Sequence, residues 1–175
     1  KLGYARKAAA GIAQEKGGRR GPGNALSKTS IPALAAVFAA TTGYPELFAL
    51  ALAGAFATAA FDTVSSEVGK AYGRRTYLIT TLRSVPRGTD GAVSLEGTLS
   101  GLAAAVLLGG LGAALGLYPA AGIVAVVVAA FVATTLESVV GATLEKRGLL
   151  DNEAVNFLNS LAGALLAAGG GFLLL

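Results

Sequence analysis

Four carboxylates lie at the edges of apolar segments, where they could bind a metal ion. Asp62 and Glu137 each end a long uncharged run, Glu67 follows Asp62 closely, and Asp90 lies in the polar segment between the two runs. A carboxylate beside a membrane-spanning segment costs free energy unless it is hydrated, paired or metal-bound. The sequence has no His and no Cys. We therefore expect a hard, oxygen-ligated ion such as Mg²⁺, with these four carboxylates as candidate ligands.

The spacing around the first carboxylate predicts a mixed acidic and hydroxyl surface. If residues 62–70 are helical, Asp62 shares one face with Ser65, Ser66 and Gly69. Glu67 is rotated by about 140° from Asp62 and lies on the face of Lys70. This arrangement suits a magnesium and phosphate site in which Asp62 and Glu67 are catalytic and Lys70 binds phosphate. The alternative is a solvated helix end at which Glu67 pairs with Lys70 or Arg74.

The segment that follows combines glycines with cations and hydroxyls, and it reads SVPRGTDGAVS. Glycines let the backbone approach closely, so that amide N–H groups can point at phosphate oxygens. Arginines grip phosphate bidentately. The alternative is a basic loop that touches anionic lipid head groups. The candidate residues here are Arg83, Gly88, Thr89, Gly91 and Ser94 for phosphate or nucleotide binding, with Arg87 and Asp90 as catalytic groups.

Two amides begin the last apolar run. Asn156 and Asn159 are candidate nucleotide-binding residues, placed near Glu137 if the last two runs form a hairpin. They could equally cap a helix or form hydrogen bonds between helices.

Composition indicates the environment that positions these groups. The chain is 54% hydrophobic and 14% charged, whereas soluble domains carry roughly 25% charged residues. Four apolar runs approach the ~20 residues needed to cross a bilayer, and a shorter one covers Ile31 to Thr42. The sequence therefore predicts an all-α, polytopic transmembrane bundle of about five helices. Two tight turns place Tyr44 and Tyr118 where interfacial aromatic residues belong.

Charge sets the expected orientation. With five crossings, all 14 Lys and Arg residues fall on one side, which the positive-inside rule makes cytoplasmic. We expect a basic cytoplasmic segment over residues 1–23 and a transmembrane domain over residues 24–175, with a cytoplasmic loop over residues 70–96 and the C-terminus outside. Residues 56–64 resemble residues 131–139, which suggests a repeated helix hairpin. Because residue 1 is Lys and the sequence has no Met, we expect the natural start to lie upstream.

The stretch FDTVSSEVGKAYGRRTYLITTLRSVPRGTDGAVSLEGTLSG, residues 61–101, resembles the core of the phytyl-phosphate kinase family, integral membrane proteins of the vitamin E pathway. RGPGNA (residues 20–25) resembles the family's segment before a membrane helix, and NEAVNFLN (residues 152–159) resembles its last-helix motif. The resemblance covers roughly residues 19–163. Lys28 departs from the pattern, since a small or amide residue is expected there.

The resemblance implies a kinase of tocopherol biosynthesis. Its expected reaction transfers phosphate from a nucleoside triphosphate to an isoprenoid monophosphate such as phytyl phosphate, giving the diphosphate. The expected donor is CTP. A monophosphate is largely dianionic at neutral pH because its second pKa is about 6, so it needs no His-like base. It does need cations and metal ions to bring two polyanions together.

Three other functions fit the same residues. The carboxylates could bind ions in a transporter, the basic loops could serve a non-catalytic lipid-binding protein, or the site could be that of a lipid-phosphate cytidylyltransferase. The expected partners are the lipid bilayer, the isoprenoid monophosphate and the nucleotide, with no nucleic acid. The sequence leaves the oligomeric state open.

Overall fold

The structure, a computed structural model, describes residues 3–13 and 21–174. The helical bundle predicted from the sequence is confirmed. In chain order the described elements are α1 (Tyr4–Ala9), α2 (Pro22–Thr41), α3 (Pro45–Tyr72), β1 (Thr76–Leu78), β2 (Ala92–Ser94), α4 (Leu95–Ala114), α5 (Gly122–Val140), a π-helical turn (Gly141–Glu145) and α6 (Asn152–Leu174).

In the described part of the chain, four helices are long and apolar enough to cross a membrane: Pro45–Tyr72, Leu95–Ala114, Gly122–Glu145 and Asn152–Leu173. The expected fifth crossing corresponds to α2, which has 20 residues. Its first half carries Lys28 and several hydroxyl residues, and this lowers its hydropathy. Two contacts show that α2 nevertheless runs antiparallel to α3. The ring centres of Phe38 and Phe48 are 5.2 Å apart near one end of the pair, and the Lys28 side chain forms a hydrogen bond with Asp62 near the other.

Capping residues fix where the helices begin. Pro22 and Pro45 occupy first-turn positions, where the missing N–H costs no hydrogen bond. Ser94 caps α4 by accepting a 3.1 Å hydrogen bond from the Gly97 amide. Asp151 caps α6 in the same way through the Ala154 amide, at 2.7 Å. The N-termini of α4 and α6 lie close to the C-terminal parts of α3 and α5, since residues of all four line the same cavity.

Small residues let the helices pack closely. A Cβ atom added at Gly54 of α3 would lie 2.5 Å from the Gly163 carbonyl oxygen of α6. A Cβ atom at Gly101 of α4 would lie 2.6 Å from the Phe61 ring. Membrane helices gain stability from this close contact, since the lipid removes the hydrophobic drive between them.

The two predicted interfacial tyrosines differ. Tyr44 is 68% exposed, as an interfacial residue should be, whereas Tyr118 is 3% exposed. The Tyr118 hydroxyl donates to the Gly109 carbonyl oxygen at 2.9 Å, and burial raises the pKa of its phenol. Tyr118 lies in the turn between α4 and α5 as predicted, but its ring packs inside the bundle, where the Gly109 carbonyl of α4 provides the partner that water would otherwise supply.

A short antiparallel hairpin interrupts the helical chain between α3 and α4. β1 pairs with β2 in the register Thr76↔Ser94, Tyr77↔Val93 and Leu78↔Ala92. The sequence predicted only a polar loop over residues 70–96, but α3 continues to Tyr72 and the hairpin fills most of the remainder. The hairpin fixes both ends of the glycine-containing loop over residues 86–91.

The N-terminal helix packs on the end of α3. Lys7 forms an ion pair with Glu67, and the Arg6 guanidinium lies 5.1 Å from the centre of the Tyr72 ring. The predicted basic segment over residues 1–23 lies partly outside the described residues, and its boundary stays a prediction. The internal repeat also stays a prediction. Phe61 and Phe131, one in each proposed copy, are in ring contact, with their ring centres 6.2 Å apart.

Candidate functional site

A polar cavity of about 200 Å³ lies where α3 and α5 end and α4 and α6 begin. Side chains from all four helices and the glycine loop line it. Nine residues singled out from the sequence lie together here: Asp62, Lys70, Gly88, Thr89, Asp90, Gly91, Ser94, Glu137 and Asn156.

Asp62 is held by a cation from another helix. The Lys28 ammonium of α2 donates to the Asp62 carboxylate at 2.6 Å and to the Thr63 hydroxyl at 2.9 Å. Both side chains of the ion pair are largely shielded, with exposures of 12% and 19%. Lys28, where a small or amide residue was expected from the resemblance, therefore partly neutralises the leading candidate carboxylate.

The helical face predicted around Asp62 does line the cavity, with Ser65, Ser66 and Gly69 beside it. The Ser65 and Ser66 hydroxyls donate to carbonyl oxygens of the preceding turn, at 3.1 and 3.2 Å. Their oxygen lone pairs still face the cavity and can accept hydrogen bonds. This face thus offers one carboxylate and two hydroxyl oxygens.

Glu137 completes the acidic part of the cavity from α5. It lies close enough to Asp62 to interact with it directly, and it also interacts with Lys28. Its carboxylate accepts a 2.5 Å hydrogen bond from the Asn159 side-chain amide of α6. Asn159 is therefore an interhelical partner of Glu137, one of the three roles that the sequence left open for it, and it is not among the residues that line this cavity.

The glycine loop is pressed against the end of α5. Gly88 and Gly91 both have positive φ, at 86° and 72°, which glycine adopts without steric cost. A Cβ atom at Gly91 would lie 2.4 Å from the Ser138 carbonyl oxygen and 2.5 Å from the Ala142 side chain. Only glycine fits here, and its close approach brings Asp90 to the cavity.

Part of the loop's hydrogen-bonding capacity is used internally. The Thr89 amide and hydroxyl both donate to the Pro86 carbonyl oxygen, and the Ala92 amide donates to the Thr89 carbonyl oxygen. We therefore expect the amides of Gly88, Asp90 and Gly91, rather than the whole loop, to face a bound anion.

The two arginines predicted to grip phosphate lie outside the lining of the cavity. Arg83 and Arg87 are exposed and are not among the residues that line the cavity. The Arg87 guanidinium makes a long, 3.5 Å contact with the Ala71 carbonyl oxygen. Their predicted roles stay predictions, and both side chains have room to turn towards a ligand. Lys70 lines the cavity itself.

Glu67 lies on a different side of α3 from Asp62. It pairs with Lys7 of α1 and is not among the lining residues. Its predicted roles as a catalytic group and a metal ligand remain untested, and the structure gives it a second role in holding α1 on the bundle.

Sequence reasoning missed several residues that line the cavity, among them Glu145 and Thr134. Glu145, at the end of the π-helical turn, accepts a 3.3 Å hydrogen bond from the Asn152 amide. Thr134 is 7% exposed, and its hydroxyl has no hydrogen-bond partner among the described residues. The signal was present, because residues 134, 138, 141 and 145 recur at helical spacing on one face. Glu145 was assigned to a polar link since the helix was expected to end near Glu137.

The electrostatics of the cavity suit an anion bound next to a cation. The N-termini of α4 and α6 reach it through Ser94, Gly97 and Asn152, and helix N-termini favour negative charge. The carboxylates opposite favour a hard cation. Among the residues that the structure describes, no three carboxylates are gathered as a ready metal site, so a bound Mg²⁺ would need further oxygens from water or a ligand.

These features define a polytopic helical membrane protein with a polar cavity of carboxylates, hydroxyls and amides at one end of the bundle. The chain belongs to the family described as integral membrane protein DUF92, which matches residues 1–164. The family resemblance found in the sequence is thereby confirmed.

Three curated relatives cover most of the chain. It is 49% identical over 97% of its length to an uncharacterized membrane protein of Synechocystis, and 39% identical over 95% to the chloroplastic protein VTE6 of Arabidopsis thaliana. It is 37% identical over 82% to an uncharacterized membrane protein of Methanocaldococcus jannaschii. The chain spans 67%, 52% and 59% of these relatives' own lengths. No solved structure matches it.

Proposed function

We propose that this chain carries the active site of a membrane kinase that transfers the terminal phosphate of a nucleoside triphosphate to an isoprenoid monophosphate. Phytyl phosphate is the proposed acceptor and CTP the proposed donor. The resemblance of residues 61–101 to the phytyl-phosphate kinases and the 39% identity to the Arabidopsis protein support this class of acceptor.

One observation carries the proposal. Asp62, Glu137 and Lys70 share a single cavity with the Gly88–Gly91 loop and two helix N-termini. A kinase that joins two phosphorylated molecules needs cations, amide donors and metal-binding carboxylates within a few ångströms of one another. Asp62 lies ten residues before the end of α3 and Glu137 eight residues before the end of the span Gly122–Glu145, so it is the loop and the helix N-termini, rather than the depth of the carboxylates, that favour a kinase over an ion transporter.

The reaction follows from the charge state of the acceptor. An oxygen of the prenyl monophosphate attacks the γ-phosphorus of the nucleotide, and a new P–O bond forms. The bond from that phosphorus to the β–γ bridging oxygen breaks, and the electron pair leaves with the nucleoside diphosphate. No proton has to be removed from a dianionic acceptor, which suits a cavity built without His.

The oxygen atoms that line the cavity are of the kind that binds a magnesium ion. Asp62 and Glu137 provide two neighbouring carboxylates, Asp90 lies on the facing loop, and the unpartnered Thr134 hydroxyl supplies another oxygen. Mg²⁺ usually keeps several waters and takes phosphate oxygens as ligands. When bound, it would neutralise negative charge on the donor phosphates. Lys70 and the loop amides are proposed to hold the transferred phosphate, with Arg83 and Arg87 as further proposed phosphate contacts.

The size of the cavity limits what enters it. Sites for whole drug-sized ligands run from about 300 to 1,000 Å³, and this cavity is smaller, at about 200 Å³. We propose that it holds the reacting phosphates, while the base and ribose extend past Asn156 and the exposed hairpin. The proposed orientation places this end on the cytoplasmic side.

The test is product analysis with purified full-length protein in detergent or nanodiscs. The protein is incubated with Mg²⁺, prenyl monophosphate and CTP labelled in either the α- or the γ-phosphate, and the lipids are then separated. Transfer of the γ-label alone, giving a prenyl diphosphate, supports the kinase. Lipid that carries the α-label identifies a cytidylyltransferase instead. If neither label reaches the lipid with CTP, ATP, GTP or UTP, the proposal fails.

A further inference from the structure

An apolar groove of about 330 Å³ lies between α5 and α6, on the outer side of the bundle. Its walls are formed largely by Leu136, Val140, Leu158, Leu161 and Leu165. Leu136, Leu158 and Leu165 are 52%, 46% and 65% exposed, so the groove opens towards the lipid. Its size falls within the usual range for ligand sites, about 300–1,000 Å³.

The groove touches the polar cavity at one residue. Glu137 lines both spaces, and the groove is almost entirely apolar apart from Glu137 and Asn159. The hydrogen bond between these two side chains joins α5 to α6 at the boundary between groove and cavity. Glu137 is thus the residue that the polar cavity and the apolar groove share, and its bond to Asn159 lies where the two spaces meet.

Asn159 has an unused acceptor at this boundary. The residue is 5% exposed, and its side-chain oxygen has no hydrogen-bond partner among the described residues. A buried, unpaired amide oxygen costs free energy, so this boundary is not in its most stable arrangement without a further partner. An opening that lets water reach this oxygen would supply one, because water can donate a hydrogen bond whereas a dianionic phosphate cannot.

We infer that the groove between α5 and α6 binds the prenyl chain of the lipid substrate, and that the phosphate head group reaches the cavity by a lateral opening at Glu137 and Asn159. This inference rests on the proposed function for the identity of the lipid. One amphiphile fits both spaces, because its apolar chain matches the leucine-lined groove and its phosphate matches the cavity. The prenyl chain stays in contact with the bilayer while its head group reacts, so this apolar chain need not cross water.

Photo-crosslinking tests the groove without requiring turnover. The full-length protein in nanodiscs is irradiated with a long (C20) prenyl monophosphate that carries a diazirine in the chain. Because Arg147 is the last Lys or Arg in this sequence, trypsin releases α6 in a fragment separate from α2, α3 and α4. The expected result is preferential labelling at Leu158 to Leu165 in that fragment and at Leu136 to Val140 of α5, the two walls of the groove. Labelling spread evenly over the lipid-facing helices would overturn the inference.

A filled groove supplies the kinetic test. Ala162 lines the groove, and Ala162→Phe should occupy it, whereas Ala103→Phe places the same side chain on the exposed side of α4. We expect Ala162→Phe to raise KM for the C20 acceptor by about tenfold or more and to change KM for a short (C5) acceptor by less than about twofold. Ala103→Phe should change neither. An equal effect of Ala162→Phe on both acceptors would contradict the inference.

The two tests separate this inference from the proposed function. If neither acceptor is phosphorylated by the unsubstituted protein, the kinase proposal fails, and the crosslinking pattern still decides whether the groove binds a prenyl chain. If Ala162→Phe alters folding, its unfolding midpoint in detergent will fall below that of Ala103→Phe. The crosslink in the unsubstituted protein then decides the question alone.

Discussion

The Lys28 ammonium lies 2.6 Å from the Asp62 carboxylate and links α2 to α3 at the level of the polar cavity. Asp62 therefore faces the cavity with its charge partly balanced. A bound magnesium ion or nucleotide phosphate would meet a carboxylate and an ammonium together, and the position of Lys28 thus bears on both stability and ligand binding.

The first prediction concerns this ion pair. Lys28→Met should destabilise the protein by on the order of 2 kcal/mol, less than for a fully buried pair, because it leaves the Asp62 carboxylate without its cation. The double variant Lys28→Met/Asp62→Asn should regain at least about 1 kcal/mol of that loss. Thermal unfolding in detergent measures both. Strictly additive losses would show that the pair contributes no coupling.

The second prediction concerns the glycine loop. Gly91→Ala introduces a methyl group 2.4 Å from the Ser138 carbonyl oxygen at a φ of 72°, so it should displace the loop from α5. Gly116 has the same φ but no atom within 4 Å of an added Cβ, which makes Gly116→Ala the control for backbone strain alone.

We expect Gly91→Ala to lower phosphate transfer by about tenfold or more, because reacting groups tolerate little misplacement. Gly116→Ala should stay within about twofold of the unsubstituted protein. Equal rates for the two variants would mean that the contact of Gly91 with α5 does not position the site.

The sequence predicted a large part of this arrangement through local periodicity. The helical spacing of Asp62, Ser65 and Ser66 predicted their shared face, and the glycines of the loop predicted a close backbone approach, which Gly91 makes against the end of α5. Both depend on residues close together in the chain, where backbone geometry limits the possible outcomes. The apolar runs likewise indicated the helical bundle.

The remaining features depend on contacts between distant segments. Lys28 and Asp62 are 34 residues apart, and nothing local indicates their pairing. Glu145 was assigned to a link because the charge of Glu137 was taken to mark the helix end, whereas α5 continues into a π-helical turn. The hairpin strands have three residues each, too few to show a clear alternation.

The third prediction separates two roles for Glu67. If its main role is to hold α1 through Lys7, then Glu67→Gln and Lys7→Gln should increase amide hydrogen exchange in residues 3–13 to the same extent and lower transfer to the same extent. If Glu67 is instead a metal ligand or catalytic group, Glu67→Gln will abolish transfer while Lys7→Gln leaves most of it. Exchange measured by mass spectrometry and transfer rates on the same samples decide between the two roles.

The fourth prediction concerns orientation in the membrane. Because the sequence has no Cys, single cysteines report sidedness without background. Ser84→Cys and Arg147→Cys should react with a membrane-impermeant maleimide only from the cytoplasmic side, whereas Tyr44→Cys and Ala120→Cys should react only from the other side. All four positions are exposed. Labelling of positions 84 and 147 from opposite sides would contradict the arrangement of the helices around the cavity.

The most direct measurement is the rate of γ-phosphate transfer to a C20 prenyl monophosphate by two matched aspartate variants. Asp62 lines the cavity, whereas Asp151 caps α6, a task that Asn performs equally well. Asp62→Asn should lower the rate by about 100-fold or more, and Asp151→Asn should leave it within about twofold. Transfer by Asp62→Asn at the rate of Asp151→Asn would contradict the assignment of this cavity as the kinase site.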